Sequence, residues 1–421
     1  MADRFDQRPD SDRVVVTGMG IYSPIGSTLN DVWRSLIEGR SGTGPITRFD
    51  PAEMDSKIAG EVGDFDPRDH LGAKEARRTD RYVQFAVAAS RDACEHAGLA
   101  ITSDNMDRIG VLLGTAMGGM ETIERELKTL DSRGPGRVSP FFVPMYLADM
   151  ASGYVSIILG VRGPNLATLS ACASAAHAIG ESAAIIRRGD ADVMIAGGSE
   201  AAVTRGSVAG FAALGALSTR NESPATASRP FDAERDGFVI AEGAATLVLE
   251  SLTHARSRGA AILAEVSGYG ATGDAAHIVQ PAADGGGASR AVSLAVTSMG
   301  VEKQEIDYIN SHGTSTPLND RLETLSLKNV FGEDSVPPVS STKALTGHLL
   351  GAGGGVEAVY TVQAIQKQTI PPTWHYQKPD PDCDLDYVTD GPRAATIAHA
   401  LSNSLGFGGH NVTLGFSRFE E

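Results

Sequence analysis

Short apolar runs that stop at glycine alternate with longer helical patterns from residue 13 onward, and this alternation constrains the fold more than any other feature. Arg13–Val16 leads into Thr17-Gly18-Met19-Gly20, Ile109–Leu113 into Gly114, Asp192–Ala196 into Gly197-Gly198, and Ile262–Gly268 into Gly268-Tyr269-Gly270. Further strands are expected at Asn165–Leu169, Ala244–Leu249, Asp307–Asn310, Val339–Ser341, Ala395–Leu401 and Asn411–Phe416. Helical patterns cover Asn30–Glu38 (Asn30 as N-cap), Asp80–His96, Met120–Leu130, Met145–Leu159 (a buried helix), Cys172–Arg188, Ala288–Met299 and Pro317–Phe331. Ser139–Pro144 and Gly406–Gly409 read as loops, and Gly351–Gln368 as a Gly-rich entry into a helix that packs very closely on a neighbour. The class is α/β.

At 421 residues the chain exceeds one small core. No long linker or low-complexity stretch interrupts it, so it reads as two fused α/β halves, 13–258 and 259–421. A polar leader, 1–12, lacks an apolar signal core and is expected to be disordered. Val-Thr-Gly-Met-Gly at 16–20 echoes Val-Ser-Gly-Tyr-Gly at 266–270. Chance recurrence of short glycine motifs and duplication of one α/β unit both account for the echo.

The net charge of −16 and the absence of a Lys/Arg-rich run exclude a nucleic-acid binder. No stretch approaches the ~18 apolar residues of a membrane span. Three cysteines, Cys94, Cys172 and Cys383, form neither a disulfide framework nor a metal-ligand spacing, which implies a reducing, cytoplasmic setting.

Four motifs carry chemistry. In Leu169-Ser170-Ala171-Cys172-Ala173-Ser174, a strand feeds small residues and then a helix, placing Cys172 at a helix N-terminus where thiolate is favoured over thiol. On its own this motif describes a buried structural cysteine better than a nucleophile, and Cys94 and Cys383 take that structural reading outright. His312, in Asn310-Ser311-His312-Gly313-Thr314-Ser315-Thr316-Pro317, and His348, in Ser340-Ser341-Thr342-Lys343-Ala344-Leu345-Thr346-Gly347-His348, each follow a strand, where open α/β sheets place their sites. Ser402-Asn403-Ser404-Leu405-Gly406-Phe407-Gly408-Gly409 is either an ordinary hairpin turn or a loop aiming backbone N–H groups at an oxyanion. One cysteine with two histidines fits formation of a carbanion beside a thioester. Two neutral imidazole N–H groups can hold the enolate oxygen without protonating the carbanion.

Taken in order, Ser-Ala-Cys-Ala, His-Gly-Thr-Ser-Thr-Pro and Lys-Ala-Leu-Thr-Gly-His resemble the beta-ketoacyl-[acyl carrier protein] synthase family, type II most closely. Pro45–Asp50, Leu217–Asn221 and Arg229–Asp232 support the likeness, which spans about Val14 to Phe416. The resemblance implies a thiolase-like fold: two duplicated α/β halves in a five-layer αβαβα sandwich, as a homodimer. It implies a decarboxylating condensation in which Cys172 carries the acyl chain. His312 and His348 would hold the malonyl enolate, and the backbone N–H groups of Cys172 and Phe407 the acyl oxyanion. Lys343 would pair with Glu357, with Asp320 as further structural support. Thr314 and Thr316 would bond the phosphopantetheine arm, and Phe211, Phe407 and Met117 would shape the acyl channel. Lys74, Arg77 and Arg78 would dock an acidic acyl- or malonyl-carrier protein. No resident cofactor is implied, because the phosphopantetheine arrives on the carrier. Asn310, Glu357, Ser402 and Asn403 match a monovalent cation site of some members. Four departures stand out: Gly215 where a basic docking residue is common, His410 for threonine, Val279-Gln280-Pro281 for a hydroxyl-bearing stretch, and Ala245 for glycine. The same resemblance leaves a polyketide-type ketosynthase, or a non-catalytic carrier-binding module, as alternatives.

Overall fold

A computed structural model describes residues 9, 10 and 12–420. The expected leader therefore lies mostly outside the described residues; Asp10 pairs with Arg256, and the Asp12 carbonyl accepts from Arg187.

The same run of elements occurs twice. In the first half it is β1 (Val14–Tyr22), α1 (Arg81–His96), β2 (Ile109–Gly114), α2 (Met150–Leu159), β3 (Asn165–Thr168), α3 (Ser174–Arg187), β4 (Val193–Glu200) and β5 (Gly243–Ser251). In the second it is β6 (Ala264–Gly273), α4 (Gly286–Met299), β7 (Tyr308–Asn310), α5 (Pro317–Phe331), β8 (Val339–Ser340), α6 (Gly353–Lys367), β9 (His399–Gly406) and β10 (His410–Ser417). The strands form one ten-stranded sheet in the order β8-β7-β9-β10-β6-β1-β5-β4-β2-β3. Each half contributes five, in the same internal order and with the same parallel and antiparallel pairings. The halves join where Val15 and Val16 of β1 pair antiparallel with Glu265 and Ala264 of β6.

The echo between residues 16–20 and 266–270 has a packing cause. A Cβ at Gly18 would lie 2.2 Å from the Ala93 carbonyl oxygen, and one at Gly20 would lie 2.1 Å from that of Ala89, both on α1. At Gly268 and Gly270 the same atom would lie 2.7 and 2.0 Å from the carbonyl oxygens of Ala295 and Ala291 on α4. Each central strand is thus pressed against an outer helix at a distance only glycine permits. β1 is buried along its whole length and β6 over its first five residues.

The middle layer is α3 and α6, buried between the two halves of the sheet. The Gly-rich entry expected to pack closely does so on α3: a Cβ at Gly354 would lie 2.9 Å from the Ala176 nitrogen. With α1 and α2 on one outside and α4 and α5 on the other, the layers run αβαβα.

Several local expectations need correction. The buried helix over Met145–Leu159 is two pieces, Phe142–Tyr146 and Met150–Leu159, and Ile157 is 72% exposed. The first piece also occupies part of the expected Ser139–Pro144 loop. Thr28, not Asn30, caps the helix Leu29–Glu38, accepting from the Asp31 nitrogen. The late strand begins at His399 rather than Ala395; Arg393 and Ala394 pair instead with Thr369 and Ile370. The helix expected to begin at Cys172 starts at Ser174.

Candidate active site

The chain turns sharply between β3 and α3. Ala173 N–H donates to the Ser170 carbonyl (3.1 Å), Ser170 N–H to Ser174 Oγ (2.9 Å), and Ser174 Oγ–H to the Ala171 carbonyl (2.7 Å). Ala171 adopts φ 50°, a left-handed conformation costing a non-glycine residue about 1–3 kcal/mol. The strained elbow presents Cys172 ahead of the helix, buried at 8% exposure on the wall of a cavity of 150 Å³. The expectation of a resting thiolate does not hold. Burial pushes the Cys172 thiol up to about 12; Lys343 draws it down, Glu200 and Glu357 push it further up, and the Phe407 N–H draws it down. The field of a helix terminus, worth about 0.3–1 kcal/mol, is outweighed by desolvation.

His312 follows β7, and His348 follows the short helix Lys343–Thr346. Their rings stand 5.2 Å apart at 84°, and Cys172 Sγ and one ring nitrogen of each histidine lie within 4.8 Å of one another. Burial drives both imidazoles well below their ordinary range, and the charge of Lys343 adds to this. Both are therefore neutral, as the enolate role requires. Lys343 Nζ lies 3.4 Å from His312 Nδ1 and is ion-paired with Glu357. An ammonium donates and cannot accept, so Nδ1 is the bare nitrogen and the His312 proton sits on Nε2. The His348 backbone bridges Val239 and Ala241, and its ring meets Phe238 edge-on at 5.3 Å.

The Gly406–Gly409 segment is a hairpin turn, between β9 and β10, that also reaches the cavity and carries Phe407 to its wall. A Cβ at Gly406 would lie 2.7 Å from the Ser170 carbonyl oxygen, so glycine lets the turn reach the cysteine elbow. Phe211 lines the cavity with its ring 6.4 Å from that of Phe407. Thr314 and Thr316 also line the cavity, their hydroxyls 2.9 Å apart. Met117 packs instead in the apolar cluster behind Cys172, with Phe211 and Leu350. Asp320 accepts from Phe231 N–H (2.8 Å) and faces Arg235 (3.6 Å).

Three residues were missed by sequence reasoning. Glu323, buried on α5, accepts from the N–H groups of His312 and Gly313 (2.8 Å each) and from Asn403 Nδ2 (3.2 Å). Its only signal was an acid four residues before Leu327, on the helix face that is buried. Glu200, at the end of β4, accepts from four donors on two loops, Thr115–Met117 and Gly351. A carboxylate at the C-terminal end of a strand was the available clue. Phe238 lay in no motif.

Lys74, Arg77 and Arg78 lie on and just after the helix Pro67–Ala76, away from this cavity. Lys74 and Arg77 are exposed; Arg78 sits over the Phe141 ring at 4.7 Å. The Asn310 side chain, Glu357 Oε2 and Ser402 Oγ are buried without hydrogen-bond partners, whereas the Asn403 side chain is engaged by Glu323 and Thr413. Cys94 and Cys383 are buried, with thiols pushed up to about 12 by desolvation, as structural cysteines.

A cysteine elbow, two neutral histidines and a buried lysine–glutamate pair on a duplicated α/β sheet define a condensing enzyme of the thiolase-like fold, and the chain belongs to the beta-ketoacyl synthase family. Residues 11–255 match its N-terminal domain and residues 263–377 its C-terminal domain. The chain is 51% identical to 3-oxoacyl-[acyl-carrier-protein] synthase 2 of Synechocystis sp. over 409 residues, 97% of this chain and 98% of that one. The Staphylococcus aureus enzyme of the same name is also 51% identical, over 97% of this chain and 99% of its own. Among solved structures, a beta-ketoacyl synthase from Burkholderia phymatum superposes with a TM-score of 0.91 at 37% identity, covering 97% of this chain and 100% of that one. The ishigamide ketosynthase/chain length factor does so at 0.91 and 35%, covering 97% and 99%. A type II polyketide ketosynthase in complex with its acyl-carrier protein gives 0.90 and 34%, with the same coverage.

Proposed function

We propose that this chain is a 3-oxoacyl-[acyl carrier protein] synthase of type II, which lengthens a carrier-bound acyl chain by two carbons in fatty acid synthesis. The observation that carries this reading is the convergence of Cys172 with two neutral imidazoles in one buried cavity. The Cys172 sulfur attacks the acyl thioester carbonyl, and the oxyanion rests on the N–H groups of Cys172 and Phe407. The carbon–sulfur bond to the carrier arm breaks, and the thiol proton leaves with the carrier thiol. Malonyl-carrier protein then enters past Thr314 and Thr316. Its carbon–carboxylate bond breaks and carbon dioxide departs. The electron pair forms an enolate held by His312 and His348. Lys343 and Glu357 fix the His312 tautomer. The enolate carbon attacks the Cys172 thioester, a carbon–carbon bond forms, and the Cys172 thiolate leaves and regains a proton. Identity of 51% to fatty acid enzymes against 34–35% to the two polyketide-type structures favours this over a polyketide substrate.

The enzyme works as a homodimer. The edge strand β3 exposes Leu166, with Leu169, Val143 and Ile157 beside it, an apolar edge that a second copy pairs and covers. Lys74, Arg77 and Arg78 receive the acidic carrier. The unpartnered oxygens of Asn310, Glu357 and Ser402 suit a monovalent cation, which would neutralise the buried Glu357. The division between the halves falls near residue 258. No helix of the described residues is long and apolar enough to cross a membrane, and the enzyme acts in the cytoplasm.

Cys172→Gln tests the reading. It is expected to abolish condensation while malonyl-carrier protein still releases carbon dioxide; loss of both activities overturns the division of roles.

A further inference from the structure

Glu200 has no part in the scheme above, yet it is fully buried and close enough to Cys172 to raise its thiol pKa. Its carboxylate accepts from Ala116 N–H (2.7 Å), Met117 N–H (3.3 Å) and Thr115 Oγ1–H (3.1 Å) on the loop after β2. It also accepts from Gly351 N–H (3.0 Å), three residues beyond His348. The two loops touch directly: a Cβ at Gly351 would lie 2.2 Å from the Ala116 nitrogen and 2.5 Å from the Thr115 carbonyl carbon. Between His348 and Gly351 stands Leu350, held at φ 47°, a conformation a leucine rarely takes. Leu350 lines the cavity and packs in one apolar cluster with Cys172 and Met117. The hydrogen bond from Gly351 to Glu200 fixes the peptide that follows this strained leucine. An acyl chain pressing on Met117 therefore moves a loop that shares its anchor with the histidine loop.

We infer that Glu200 is a positioning residue that couples the acyl-chain side of the cavity to His348, so that the loop around Met117 sets how well malonyl is decarboxylated. The inference rests on the condensing reading above. No atom of the substrate touches Glu200; it acts through Leu350 and Gly351.

Malonyl-carrier protein decarboxylation is compared in Cys172→Gln and in Cys172→Gln/Glu200→Gln, across pH. A glutamine cannot accept all four donors. The double variant is expected to decarboxylate about tenfold more slowly at saturating malonyl-carrier protein, with KM nearly unchanged, because His348 is displaced rather than the carrier site. Burial pushes the Glu200 carboxyl up to about 7, and the titratable groups facing it are Cys172, absent in both variants, and Tyr82. Glu357 is also pushed up to about 7, so the difference between the two variants is what reads Glu200. The carboxylate accepts four donors only when ionised, so the Cys172→Gln rate rises through about 7 and this limb is lost in the double variant. A purely structural glutamate would lower the rate without removing the limb, which overturns the inference, as does an unchanged rate. If the double variant does not fold, Cys172→Gln/Thr115→Val decides: it removes one donor and is expected to slow decarboxylation in the same direction, and an unchanged rate there refutes the coupling. An inert Cys172→Gln single variant sinks the condensing reading itself; an active one with no further effect sinks only the role of Glu200.

Discussion

Glu323→Gln isolates the anchor of the His312 turn. The carboxylate accepts two backbone N–H groups at 2.8 Å, from His312 and Gly313, and the Asn403 amide at 3.2 Å, all in a fully buried place. Glutamine keeps the shape but offers one carbonyl oxygen and one NH₂ group. Whichever way the amide turns, its NH₂ faces a donor at a distance meant for an acceptor. One hydrogen bond to a charged group is lost, worth about 1.5–3 kcal/mol, and one buried N–H is left unpaired, at about 1–3 kcal/mol. Part of that strain is relieved by moving the turn, so about 3 kcal/mol reaches the chemistry. At about 1.4 kcal/mol per tenfold, the condensation kcat falls roughly a hundredfold. The assay is steady-state condensation with malonyl-carrier protein, alongside iodoacetamide labelling of Cys172. Labelling should proceed at the wild-type rate, since Glu323 serves the histidine side of the cavity. A kcat within about threefold of wild type would refute the anchoring argument, because a loss below about 0.7 kcal/mol cannot include a buried unpaired donor. Equal loss of kcat and labelling would show a collapsed site instead.

Met117→Phe adds volume to the cluster behind Cys172 and shortens the preferred acyl chain; an unchanged product profile in a panel of acyl-carrier proteins would count against Met117 as a determinant. Because desolvation pushes the Cys172 thiol up to about 12, its alkylation rate should climb about tenfold per pH unit through pH 9 without levelling. A plateau near pH 8 would mean a far more acidic thiol. Lys74→Glu/Arg77→Glu should raise KM for carrier-bound substrates at low salt, with less effect at high salt, and leave kcat near wild type. Insensitivity of KM would move the docking surface elsewhere.

Sequence alone exposed whatever punctuates a strand or carries a rare reactive type. The glycines of β1 and β6, Cys172, His312, His348 and Lys343 all stand at strand ends or in close contacts, where few residue types fit. Structure was needed where a helix breaks without proline or glycine, as at Leu147–Asp149, and where a backbone angle rather than a residue type makes the turn, as at Ala171. The thiolate expectation failed because a helix terminus is visible in sequence and desolvation is not. Glu323 and Glu200 stayed hidden for a related reason. Each is an ordinary acid until folding delivers several N–H groups to it from segments far apart in sequence.

The repeated order of strands has a consequence for how this centre is supplied. The connection after β3 brings Cys172, and its counterpart after β8 brings Lys343 and His348. The connection after β2 brings Thr115–Met117, and its counterpart after β7 brings His312. On the function proposed above, corresponding places in two copies of one unit take different trades, the first copy carrying the acylated cysteine and the second the two histidines that hold the enolate. Neither copy holds a complete set of tools. On that reading, a change around Met117 in the first copy leaves His312 and His348 of the second in place. The ties that cross between copies, at Glu200 and at the Phe407 turn, are where such drift would first be felt.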